Sequence, residues 1–225
     1  MDWIRIKNNS DHPELISARS LQFTIGFLGF LFPIALMIVA VVLDDCEKVQ
    51  HSISAYYHTD ARNLFVGVLC AIALCLFTYK GYSFIDNLVG NLAAIFALGV
   101  AFFPTSISAP LTTCLNKTID LGLIGDLHLF SAALLFLCFS FFSLFLFTKS
   151  KGEIDSVKLV KNRIHRGCSV VMLVSILLIA IYFGLNQGPL AGWSSYKPVF
   201  WLESLALWAF SVSWLTKSEY FHREE

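Results

Sequence analysis

The chain has 225 residues, 56% of them hydrophobic and 14% charged, with 21 phenylalanines. A soluble domain carries about a quarter charged residues, so this composition excludes an ordinary soluble globular protein. Sixteen lysines and arginines balance sixteen aspartates and glutamates, and no surplus of either sign directs the chain to nucleic acid.

A membrane-spanning helix needs about 20 mostly apolar residues. No charge falls between Arg19 and Asp44, Arg62 and Lys80, Asp86 and Lys117, Asp126 and Lys149, or Arg166 and Lys197, and a sixth stretch from Pro198 to Thr216 is broken only by Glu203. The expected fold is an all-α integral membrane protein, a six-transmembrane-helix bundle with helices at 21–43, 63–79, 88–103, 127–147, 167–185 and 199–215. The alternating short strands of a membrane barrel are absent. Residues 1–20 read as an N-terminal segment, 21–217 as the transmembrane domain and 218–225 as a tail.

Lysine and arginine are retained on the cytoplasmic side during insertion. With six helices, twelve of the sixteen lie on the side of the termini, which predicts both termini to be cytoplasmic; a bacterial inner membrane is the expected location, although the charge pattern itself does not separate it from a eukaryotic membrane. The remaining four, Lys48, Arg62, Lys117 and Lys197, fall on the outer side.

In chain order, Asp11-His12-Pro13-Glu14 has the pattern of a helix start. The first apolar segment follows about twenty polar residues without a cleavage pattern, so it is read as a retained helix, kinked at Pro33. Tyr56, Tyr57, Trp193, Tyr196 and Trp201 on the outer side, and Tyr79, Tyr82, Trp214 and Tyr220 on the inner, stand where interfacial anchors belong. Asp86 is placed as the N-cap of the third helix, with Asn91 as a hydrogen-bonding residue between helices. Ala93, Ala97 and Ala101 at four-residue spacing predict close packing inside the bundle. Cys70, Cys75, Cys138 and Cys168 read as small packing residues. Cys46 and Cys114 share the outer face, where an oxidising compartment permits a disulfide. Asn116-Lys117-Thr118 matches a glycosylation acceptor. Six basic residues between Lys149 and Arg166 form a fourth loop that sets topology and attracts anionic headgroups. His12, His165 and His222 receive no role.

Polar residues placed where the membrane makes them costly are candidates for function, and they gather on the outer side. The first outer loop runs His51-Ser52-Ile53-Ser54-Ala55-Tyr56-Tyr57-His58-Thr59-Asp60-Ala61-Arg62. If the second helix begins early, Ser54, His58 and Arg62 stack on one face. Asp126 and His128 open the fourth helix and Glu203 lies near the outer end of the sixth. His58 and His128 with Asp60, Asp126 or Glu203 would supply three zinc ligands and leave a position for water, the pattern of a hydrolytic metal site. In the alternative, the histidines are interfacial hydrogen-bonding groups and Arg62 a lipid-phosphate contact. Glu203 reads equally as a strut paired with Arg62 or His128, or as a base, metal ligand or proton carrier.

Ser52-Ile53-Ser54 ahead of Arg62, Gly99-Val100-Ala101-Phe102-Phe103-Pro104 and His128 together resemble bacterial six-helix membrane proteins. Those in turn resemble the DRAM/Sfk-type family, which includes a GPI-anchor remodelling factor; this resemblance implies no agreed reaction. Locally, Ser54-Ala55-Tyr56-Tyr57-His58 resembles the Ser-x-x-x-His element of the alkaline ceramidase and adiponectin-receptor superfamily, which implies a zinc site and hydrolysis of lipid amides. This chain departs from that group in having six helices rather than seven, no His-x-x-x-His, and Asp86 on the opposite side.

The leading expectation is an outward-facing pocket for a lipid or other amphiphile, acting as a metal-dependent hydrolase or acyl-transfer enzyme. In it His58 and His128 are zinc ligands, and Asp60, Asp126 or Glu203 is a ligand or base. Ser54 supports the site by hydrogen bonding, and Arg62 and Tyr57 contact the substrate. The alternatives are a proton-coupled transporter or channel working through Glu203 and His128, and a non-catalytic scaffold. Membrane lipids are the expected partners.

Overall fold

The computed structural model describes residues 17–44, 49–81, 83–107, 115, 118–149, 155–185 and 191–218. Cys46, Cys114, the glycosylation asparagine, His12, His222, Tyr82, Tyr220 and the proposed helix start at Asp11 lie outside them. Six α-helices are present: α1 Ala18–Asp44, α2 Arg62–Thr78, α3 Phe84–Phe102, α4 Leu123–Phe141, α5 Ser156–Leu185 and α6 Pro198–Ser218. A π-helical turn, Phe142–Leu146, extends α4, and short 3-10 helices at Ser54–His58 and Ala191–Tyr196 precede α2 and α6. Among the described residues, extended structure is confined to one isolated bridge between Ile107 and Ile119.

All but α2 are long and apolar enough to cross a bilayer; α2, at 17 residues, stands at the lower limit. Large apolar side chains such as Ile38, Val42, Leu74, Phe130 and Leu177 face outward, while His128, His165 and serines such as Ser143, Ser169, Ser204 and Ser211 are buried. That inverted distribution is what a lipid surroundings permits and water does not. The chain is therefore a helical bundle of a multi-pass membrane protein.

The helices close into a ring in which each packs on the next and α6 returns to α1. Small residues allow the approach. A Cβ at Gly29 would lie 2.7 Å from Ser211 Oγ, and one at Gly26 2.8 Å from Leu215 Cγ, so the α1–α6 contact depends on both glycines. Trp208 Nε1–H donates to Phe30 O across the same seam. On α3, Ala93, Ala97 and Ala101 are fully buried, as their spacing predicts, and a Cβ at Gly99 would meet Ser131 Oγ on α4 at 2.5 Å. The four membrane cysteines pack partly buried against the core as free thiols.

Several local expectations are corrected. The N-cap of α3 is Ser83; Asp86 sits at the third helical position, accepting from Ser83 N while Ser83 Oγ accepts from Asp86 N, a reciprocal capping box. Asn91 is exposed rather than set between helices. The basic segment from Lys158 to Arg166 is not loop but the first turns of α5, capped by Asp155, whose Oδ1 accepts from Lys158 N at 2.7 Å. Tyr56, Tyr57, Tyr79 and Trp214 are buried rather than interfacial. Tyr79 and Phe147 meet Trp214 edge-on, and Phe142 and Phe210 pack against it at a tilt. Trp193, Tyr196 and Trp201 are exposed, as interfacial anchors require.

Candidate functional site

The expected outer residues meet at one end of the bundle, but in an arrangement different from a stacked helix face. Ser54 to His58 forms its own 3-10 helix and α2 begins only at Arg62, so Ser54, His58 and Arg62 do not line up along α2. The 3-10 helix is buried over Ser54–Tyr57. Ser52 Oγ accepts from Ala55 N at 3.0 Å at its start, and Thr59 Oγ1 donates to Tyr56 O at its end.

The turn after α3 supplies two carbonyls. Phe103 O stands 2.6 Å from His128 Nδ1, and Thr105 O stands 2.7 Å from His58 Nε2. A carbonyl only accepts, so each of these nitrogens carries its proton. The neutral His128 ring then has its lone pair on Nε2, which faces Ser54 Oγ at 2.9 Å. Serine hydroxyl, imidazole and backbone carbonyl stand in one line, and Ser54 and His128 are both buried. Just beyond this turn, Ile107 N–H donates to Ile119 O at 2.7 Å, with the reverse bond at 2.9 Å. Gly122, at φ +48°, then turns the chain into α4, a conformation that favours glycine.

Glu203 does not pair with Arg62 or His128. Its Oε2 accepts from Ile53 N–H at 2.5 Å, and the Ser54 N–H also bonds to this carboxylate. Glu203 therefore fastens the start of the 3-10 helix to α6. The backbone bond from Phe200 N to His51 O and the bond from Lys197 Nζ to Val49 O fasten the preceding residues to the same helix. Lys197 adopts a left-handed φ of 54°, a strained conformation for a lysine, held by these contacts.

Arg62 is exposed at the rim. Its guanidinium donates to Tyr57 OH at 2.7 Å and lies 4.4 Å from the centre of that ring. Asp60 and Asp126 are exposed, and neither belongs to the Ser54–His128 line. His51 is the residue that sequence reasoning passed over. Its Nδ1 is buried without a hydrogen-bond partner among the described residues, and burial first, then Lys197 and His58, hold its pKa below the ordinary histidine value. The signal available was only its place in a histidine-rich loop. Burial also raises the Tyr56 phenol, whose oxygen accepts from Gln50 N at 3.3 Å.

Among the described residues, no three His, Cys, Asp or Glu side chains converge on a point where a metal could sit. His58 and His128 spend one nitrogen each on carbonyls of the same turn, and the free lone pair of His128 is taken by Ser54. The described donor set does not fit the expected zinc ion. What the arrangement can do is move a proton between a serine hydroxyl and an oriented imidazole.

Fold and site together define a multi-pass helical membrane protein with a buried Ser–His pair at one end. No protein-family model, curated protein or solved structure matches the chain.

Proposed function

We propose that this protein transfers or hydrolyses an acyl group of a membrane lipid at its His128 end, with Ser54 as nucleophile and His128 as general base. The observation that carries this reading is the 2.9 Å contact from Ser54 Oγ to His128 Nε2, with Nδ1 turned onto Phe103 O. A serine hydroxyl is a weak nucleophile until a base stands within hydrogen-bond reach and a third group orients that base. Ser54 Oγ adds to the ester or amide carbonyl as its proton passes to His128 Nε2, and that proton then leaves on the departing alcohol or amine. Water or a second lipid hydroxyl releases the acyl group from Ser54, giving its own proton to Nε2 and returning the serine. Glu203 is a positioning residue that holds the backbone of Ser54, and Arg62 over Tyr57 at the rim is the headgroup contact.

The distribution of lysine and arginine supports placing this end on the outer side of the membrane. Membrane lipids are the substrate class because the neighbouring ends of α3 and α4 expose Phe102, Leu123, Ile124 and Leu127. The test is labelling of the purified chain with an alkyl fluorophosphonate, followed by peptide mapping. Label on Ser54 that disappears in His128→Gln is expected; an unlabelled wild-type chain would make the pair a latch between loop and helix. Metal content on the same sample separates the two chemistries, since one zinc per chain lost with His58→Ala would reinstate the metal-dependent route.

A further inference from the structure

At the opposite end of the bundle, α5 turns charged residues inward. Lys158 and Lys161 are half-buried, and Asn162 and His165 are buried, whereas Arg163 and Arg166 on the other face are exposed. A bundle normally buries apolar groups on that face, and ionisable groups there mark a functional site by default. Lys217, from the last turn of α6, lies 5.7 Å from the centre of the Phe147 ring, and Lys158 Nζ donates to Phe147 O at 3.0 Å. All three lysines lie close enough to His165 to act on it electrostatically. Beneath them, Ser143 Oγ donates to Ser213 Oγ at 2.7 Å and Ser213 Oγ meets His165 Nδ1 at 2.9 Å.

Two further observations point to a ligand. The indole N–H of Trp214 is buried without a partner among the described residues, and Trp214 meets Phe147 edge-on at 5.0 Å, as Phe147 meets His165 at 5.3 Å. The π-helical turn Phe142–Leu146, a distortion frequent at functional sites, brings Ser143 and Phe147 to this corner. At 30 residues α5 is about 45 Å long, so its first turns reach the headgroup layer.

We propose that the first turns of α5, the last turn of α6 and the Phe147 turn form a binding site for a phosphate group. Lys158, Lys161 and Lys217 are its cations, and Ser213, His165 and the Trp214 indole its hydrogen-bonding floor. The phosphate is supplied by an anionic lipid headgroup or by a soluble phosphate ester. The site is separate from the Ser54–His128 pair and does not depend on that pair being catalytic.

Native mass spectrometry of the full chain in detergent, titrated with phosphatidylglycerol or phosphatidylcholine, tests this. Phosphatidylglycerol should be retained in preference to phosphatidylcholine, and Lys158→Gln/Lys161→Gln/Lys217→Gln should weaken it roughly a hundred-fold. Arg163→Gln/Arg166→Gln, on the exposed face of the same turns, should leave it almost unchanged. Equal loss in the two variants, or no preference between the lipids, would overturn the site in favour of diffuse surface attraction. Ser213→Ala is milder and should also weaken binding, so an unaffected Ser213→Ala chain refutes the floor even if the triple variant fails to fold. Competition by inorganic phosphate identifies a site that soluble phosphate can fill; its failure to compete, with phosphatidylglycerol still bound, identifies a lipid headgroup.

Discussion

Each end of the bundle buries a histidine against a serine hydroxyl, and the two pairs differ in what surrounds them. Acceptors stand on both members of the Ser54–His128 pair: Phe103 O on the ring and the Glu203 carboxylate on the Ser54 N–H. Around His165 stand three ammonium groups and a second serine that donates into the first. A ring steered by a carbonyl and offered a hydroxyl is arranged to receive a proton, whereas a ring among cations is arranged to meet an anion. The same two side chains thus suit proton transfer at one end and anion recognition at the other, and the neighbouring backbone and charges make the difference.

The largest expected effect tests that division directly. His128→Gln should lower lipid turnover by roughly 10²–10⁴-fold, the usual weight of a general base, while Ser143→Ala at the other end leaves turnover unchanged. Equal losses in a lipid-ester assay would erase the distinction. Next in size, Glu203→Ala strands the N–H groups of Ile53 and Ser54 and should destabilise the chain by about 1–3 kcal/mol per stranded group, read as thermal unfolding in detergent. Its counterpart at the far end is weaker. Asp86→Asn removes an ion pair whose Lys149 side chain is 41% exposed, so solvent screening limits the loss to about 1 kcal/mol or less.

The smallest effect concerns pH. His51 is held below its ordinary pKa in the folded state, so at pH between that depressed value and about 6.5 the unfolded chain binds more protons and stability rises with pH. Stability falls as pH drops below 6.5. His51→Asn should flatten that part of the melting temperature against pH, and an unchanged slope would show that His51 is not held neutral by folding.

Much of this architecture was legible because the bilayer imposes one strong rule: a long apolar run becomes a helix. The ends of α1, α2 and α6 followed within three residues, α3 and α4 begin four residues before their expected starts, and Ser54, His128 and Glu203 were placed at one depth. The start of α5 was missed because charge ends an apolar run without ending a helix; lysine and arginine are good helix formers. The partner of Glu203 was missed for a different reason. A backbone N–H leaves no mark in a sequence, so a search among side chains could find only Arg62 or His128. The same applies to Phe103 and Thr105, whose carbonyls steer both histidines. Trp214 and Tyr79 were read as anchors because their types suit an interface, but burial at a helix crossing is decided by neighbours that lie far away in the chain.

The ring closed by Gly26 and Gly29 against α6 carries a consequence for biogenesis. During synthesis α1 enters the membrane before the helix that covers its glycine seam exists, and four further helices must follow before α6 arrives. Until then the seam faces lipid, and the loop around Ser54 lacks the Glu203 carboxylate that fastens it. Maturation of the Ser54–His128 pair is thus tied to the last helix of the bundle, and a chain truncated before α6 would insert five helices yet leave that pair unassembled.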